Sequence, residues 1–285
     1  DITVSLSAAI GSGVDYSKSI DLITTAEKLA VATKADLKST TEILVSTLNA
    51  YGMQTSDAGK VSDLFFQTIK DGKIEMTDLA HSLSMVTPLA AASGVSLKEI
   101  GAAIAALTAS GIAPSTSIEY LRSALTNIIK PSKDASELAE ELGIKFDAQA
   151  LKSKGLAGVL NDVAKATQGN SGQMARLVGD VGGLVAAMAL TGPAAGKFAE
   201  ALQGMEKSAG AVDEAFAKMN GSLDVAQAKM ANAFKSLLVD IGTPLLNEAG
   251  GIANAIANVF NALGVSVRDG ALKSLVSYIE STMGD

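Results

Sequence analysis

The sequence predicts an all-α fold, a multi-helix array of antiparallel helical hairpins with little or no strand. Three observations carry this. Apolar residues recur at i, i+3 and i+4 along most of the chain, the spacing of one helix face. No stretch of convincing length alternates apolar and polar residues, and Val265 to Val267 is too short for a strand. The helix-sized patterns are closed by caps, glycines and prolines. The clearest run is Asn49 to Gly111, with stops at Gly52, Gly72, Gly94 and Gly111.

In chain order, residues 1–14 read as a lead-in broken by Gly11 and Gly13. A helix from Asp15 or Ser17 to about Thr33 puts Ile20, Leu22, Ile23, Ala26, Leu29 and Ala30 on one face. Asp36 is the N-cap of the next, which carries Leu37, Ile43, Leu44, Leu48 and Tyr51 and ends at Gly52 in a left-handed C-terminal turn. Thr55 or Ser56 opens a helix with the stripe Val61, Leu64, Phe65, Thr68 and Ile69, stopped by Gly72. Thr77 opens another, with Met76, Leu79, Leu83 and Val86 apolar. Pro88 ends or kinks it, because the ring lacks an N–H and clashes with the preceding turn.

Ser96 and Glu99 form an S-x-x-E capping box, and Thr116 with Glu119 repeats the device before a helix that Pro131 stops. Ser132 caps a short acidic helix ended by Gly143. Lys145 to Gly155 reads as a linker with at most a short turn, followed by a helix over Leu156 to Thr167 and the loop QGNSGQ. Met174 to Leu190 reads as one strongly apolar helix, broken at Thr191-Gly192-Pro193. Further helices are expected over 194–208, 212–219, 222–241, 244–263 and 268–283. These patterns divide the chain into the lead-in, a compact helical core module at 15–147, a second helical segment with the apolar helix at 148–209, and C-terminal amphipathic and apolar helices at 210–285.

Composition narrows the function classes. With 285 residues the chain has room for one or two domains. It starts at Asp1, and we expect a piece of a longer polypeptide. Apolar residues are 48% but aromatics only 4%, with no Trp, so the core material is Ala, Leu, Ile and Val. Small side chains let helices approach closely. The net charge is −7 and no Lys/Arg stripe is present, which argues against sequence-specific nucleic-acid binding. The absence of Cys excludes disulfides, thiol chemistry and Cys-ligated zinc.

No constellation carries chemistry. His81 is the sole histidine, without a nucleophile motif or a metal-spaced partner, and reads as a surface or groove residue. Glu137, Glu140 and Glu141 read as a solvated helix face rather than a glycosidase pair. Asp71-Gly72-Lys73 fits neither a calcium loop nor a phosphate loop and reads as a helix-ending turn. Gly11-Ser12-Gly13 lacks the third glycine of a dinucleotide fingerprint. Gly179 and Gly183 form G-x-x-x-G in an apolar segment, which suits close helix packing, with membrane contact the second reading. We therefore expect no catalytic residue, no cofactor-binding residue and no metal ligand, and a protein that is not an enzyme.

The stretch 49–111 resembles the core region of phage tail tape measure proteins. The likeness rests on Asn49-Ala50-Tyr51-Gly52, Ala58, Asp63-Leu64-Phe65, Gly72-Lys73, Leu79, Val86, Pro88, Gly94, Leu107-Thr108 and Gly111. It continues through YLRSALTNIIKPS (120–132), ELGIKFD (141–147), ALTGPAAGKFAEAL (189–202) and DIGTPLL (240–246). Each motif is weak alone; their order and spacing are specific.

The resemblance implies a virion structural protein in the tail lumen or at the tail tip. Such a protein sets tail length, templates the tail tube and leaves ahead of the DNA. Its implied partners are other copies of itself, the tail tube protein and tail-tip, hub or distal tail proteins, with possible contact to the host envelope. A fully helical chain of this size would reach on the order of 430 Å, but the many helix stops suit a folded module within or at one end of such a ruler. A membrane-active channel former for genome delivery is the alternative, supported by the positive mean hydropathy, by 177–196 and by 252–263. A cell-wall hydrolase, a third class, lacks its glutamate cleft.

Overall fold

The computed structural model describes residues 9–12, 14, 16–192 and 194–219. The helices expected over 222–241, 244–263 and 268–283, and most of the lead-in at 1–14, lie outside the described residues. The chain divides into a compact unit over Asp1–Phe216 and a second over Ala217–Asp285. Everything below concerns the first. The all-α class holds: among the described residues the regular elements are helical and none is a strand.

Helix α1 (Tyr16–Thr33) buries Leu22, Ile23, Ala26, Leu29 and Ala30. Ile20, expected on that face, is 59% exposed. Asp36 caps α2 (Leu37–Ala50), its carboxylate accepting from Ser39 N–H at 2.8 Å. A 3-10 turn at Thr55–Asp57 leads into α3 (Ala58–Gly72), which buries Val61, Leu64, Phe65 and Thr68. The sequence placed Leu64 and Phe65 in the core, and they are there.

Helix α4 (Met76–Ser82) starts one residue before the expected Thr77. Its N-cap is Glu75, paired with Asp78 in a reciprocal capping box. A 3-10 turn at Leu83–Met85 follows, then α5 (Thr87–Ala92). Pro88 breaks the path as expected, but by opening α5. In a first turn its missing N–H costs nothing and its fixed φ already suits the helix.

Ser96 and Glu99 make the expected capping box for α6 (Leu97–Ala109). The second box fails. Helix α7 (Pro114–Ile129) begins at Pro114, so Thr116 lies inside the first turn and caps nothing. Ser132 caps α8 (Lys133–Glu141) as expected.

The stretch read as a linker is helical in large part. Asp147 caps α9 (Ala148–Thr167), accepting from Ala150 N–H at 2.7 Å. The helix breaks at Gly155, whose φ of 70° and ψ of 179° only glycine adopts readily. Met174–Leu190 is not one helix: α10 (Ser171–Val178) ends at Gly179 with φ 72°, and Asp180 starts α11 (Val181–Thr191) afresh. A left-handed glycine followed by an Asx cap ends one helix and begins another within two residues. Helix α12 (Ala195–Glu206) completes the packed set, and helical backbone resumes at 211.

The core is built around α6. Every residue from Gly101 to Leu107 is buried, so this helix has no polar face there, the mark of a helix enclosed on all sides. Helices α3 and α12 pack on it most extensively, with α5, α7, α9 and α11 around the rest. Glycines set its distance from α3. A Cβ at Gly72 would stand 2.6 Å from Thr108 Oγ1 and 3.1 Å from Ala105 Cα; one at Gly101 would meet Thr68 Oγ1 at 2.5 Å. Gly72 stands at the end of α3, as expected, and serves close approach; it is not itself left-handed. Lys73 takes that conformation instead, with φ 53°. Gly52, Gly94 and Gly111 do lie just past helix ends, with φ of 61°, 77° and 93°. The hydrophobic core runs without a break across position 147, from Leu22 and Leu44 through Ile104 to Val163, Phe198 and Met205.

Candidate interaction surfaces

The polar residues singled out in the sequence lie apart from one another. His81 is exposed on α4, its Nδ1 2.6 Å from the Thr77 carbonyl oxygen. Ser39, Glu42, Ser46 and Ser84 line the shallow depression around it. Glu137, Glu140 and Glu141 are exposed on α8, with Lys133 3.6 Å from Glu137. Arg176 on α10 grips Asp134 through its Nε and Nη2 and holds that carboxyl below its usual range. Among the described residues no three His, Asp or Glu side chains converge as a metal site would need.

Asp71-Gly72-Lys73 borders a cleft of about 350 Å³ between α3, α6 and α12, lined also by Gln67, Lys197 and Glu200. Asp71 and Lys197 have partners within the fold. Asp71 accepts from the Gln67 amide at 2.9 Å, and Lys197 Nζ donates to the Ala109 carbonyl at the C-terminal end of α6, 2.8 Å away. Gln67 and Asp71 also crowd Gly204, where a Cβ would stand 2.9 Å from each. The cleft is therefore a seam between helices.

Gly179 and Gly183 do not act as a G-x-x-x-G pair on one helix. Gly179 is the turn, and within α11 it is Gly183 that packs on the α7 backbone, where a Cβ would sit 3.4 Å from Ala124 Cα. Between them Asp180 ties α11 to α7. It accepts from Ser123, from Asn127 and, at 2.8 Å, from Gly183 N–H. Burial pushes this carboxyl up, but the donors, Ser123 foremost, outweigh it and hold it below the ordinary value.

Two other carboxylates reach distant segments in ways that sequence spacing did not reveal. Glu99 accepts from Ser96 N–H in its own cap and from Ala157 N–H in α9, just past the Gly155 break. Asp63 on α3 accepts from Gly210 and Val212 N–H at 2.8 and 2.9 Å. Asp147, a plain Asx cap three residues from its donor, was open to local reading but lay in the stretch taken for a linker.

Among the described residues, the outer side of α11 exposes apolar side chains. Val181 is 74% and Met188 40% exposed, and Leu184 and Val185 are half-buried between them. The spacing of Val181, Val185 and Met188 puts them on one stripe, and the helix has no charged residue. Among the described residues no single helix is long and apolar enough to cross a membrane; α11 and α12 together reach the length but bend by 77°.

The family model for phage-related minor tail proteins matches residues 1–183. The chain therefore belongs to the phage-related minor tail protein family. Its relatives include the probable tape measure protein of Clostridium phage phiCD119, 28% identical over 292 residues that cover 99% of this chain and 31% of the relative. The tape measure protein of Pneumococcus phage Dp-1 is 28% identical over 239 residues, 82% of this chain and 21% of the relative. The probable tape measure protein of Escherichia phage P2 is 21% identical over 230 residues, 78% of this chain and 28% of the relative. The chain thus spans less than a third of each of these relatives. No solved structure matches it.

Proposed function

We propose that this chain is a folded module of a tape measure protein. In this reading it is a non-enzymatic virion component in the tail lumen or at the tail tip, part of a longer polypeptide that sets tail length, templates the tube and leaves ahead of the DNA. One observation supports this best: the residues that carry the family likeness are those that turn and pack helices. Gly72 and Lys73 set the α3–α6 approach and the turn after it, Pro88 opens α5, Gly94 and Gly111 close helix ends, and Leu107 is buried in α6. Its partners would be further copies, the tube protein and the tip proteins.

Tail length, read by electron microscopy, tests the proposal. Deleting helical sequence outside this module from the whole protein should shorten tails by about 1.5 Å per residue. Deleting residues 16–206 should instead yield tails of uncontrolled length, or none. Tails that shorten in simple proportion after the second deletion would make this stretch ordinary ruler and refute the module reading.

A second reading, a membrane-active protein for genome delivery, draws on the exposed apolar stripe of α11. It requires the chain to float with liposomes, and Val181→Lys with Met188→Lys to abolish this. Absence of flotation with either neutral or anionic lipids would dismiss it.

A further inference from the structure

The compact unit ends at Phe216, and the way its last residues are held differs from the rest. Elsewhere helices are fixed by buried apolar faces. After Glu206 the burial thins: over 209–216 only Val212 is buried, at 4% exposure. What remains is polar. Ser208 Oγ donates to the Met205 carbonyl, Asp63 accepts from the Gly210 and Val212 N–H groups, and Lys28 on α1 pairs with Asp213 at 2.7 Å.

The helical stretch that starts at 211 has Gly210 before it, with φ 81° and no side chain to accept from its first N–H groups. A helix start leaves such donors without intrahelical partners. Here the acceptor comes from α3, 147 residues away in sequence from Gly210. The helix start is thus capped by another helix, and the cap exists only while the segment is seated.

We propose that Asp63 is a clasp that makes the helix start at 211 conditional on its docking against α1 and α3, so that 207–216 opens as a unit separate from the core. Segments with few buried apolar side chains and few internal partners open at lower free energy than the core they rest on. The exposed Lys28–Asp213 pair adds little to the hold. Docking and helix formation are coupled: release at one residue, Asp63, frees the whole end of the unit while α6 stays enclosed.

Hydrogen exchange of the full 285-residue chain tests this. In the native chain, amides of 210–216 should exchange faster than those of 100–107. Asp63→Ala should raise exchange over 210–216 about tenfold, the effect of losing a helix cap, and leave 100–107 unchanged. Asp63→Asn keeps one carbonyl acceptor and should fall between the two. Lys28→Ala should move the same amides by less than Asp63→Ala. Equal exchange in Asp63→Ala and the native chain would overturn the clasp. So would Asn behaving no better than Ala, or loss of protection at 100–107 together with 210–216, which would show one cooperative unit.

Discussion

At the scale of the residue, several carboxylates here hold helices together. Asp180 meets a hydroxyl, an amide and a backbone N–H, all donors, and each favours the charged form. Its folded carboxyl therefore titrates below the ordinary value of 3.8. A group depressed by folding contributes stability that is complete at neutral pH and is lost as pH falls through the folded value. The urea midpoint should accordingly be flat from pH 7 to about 5 and fall below about pH 4. Asp180→Asn should lower the midpoint at pH 7 and make the acid limb shallower, as followed by circular dichroism. An unchanged acid slope would remove Asp180 from the account. Such roles are hard to read in a sequence, because the donors from Ser123 and Asn127 lie 57 and 53 residues away. Asp36, Ser96 and Ser132 were legible because a cap and its N–H are three residues apart.

At the scale of the element, the boundaries divide by what fixes them. The starts capped by Asp36, Ser96 and Ser132 agree with expectation, whereas those capped by Asp147 and Asp180 fall where no start was expected. Starts where two local signals compete also differ: Pro114 overrides Thr116, and Glu75 precedes Thr77. The break at Gly179 within an apolar run escaped notice because hydrophobicity continues across it while the backbone does not. Gly72 shows the same limit differently. It stands where a stop was expected, but its use is visible only once α6 lies against it. Gly72→Val would drive its branched side chain into Ala105 Cα and Thr108. It should destabilise the fold by about 2 kcal/mol, the typical overpacking cost, and lower the melting temperature. A Gly72→Val chain melting with the native one would mean that α3 and α6 separate without strain.

At the scale of the whole molecule, the helical class was readable because it follows from pattern and composition. The unbroken core was not. The division at 147 rested on a supposed linker that proves to be the first turns of α9. Residues on both sides of it cover α6, and no local pattern announces that. On the reading proposed above, a unit that encloses its own core acts as a folded module rather than as ruler length, which is why deletion of 16–206 and deletion of flanking helix should give different tails.

The enclosure of α6 also has a consequence for biosynthesis. Thr68 and Met205 meet beside Gly101 although 137 residues separate them. When α6 leaves the ribosome, α3 has already been made, but α12 has not. One flank of this enclosed helix stays uncovered while some hundred further residues are translated, on the order of 5–20 seconds at ordinary elongation rates. Folding of this unit is thus completed from its C-terminal side, and the nascent chain passes through a sticky interval that ends only when Phe198, Ala201 and Met205 arrive.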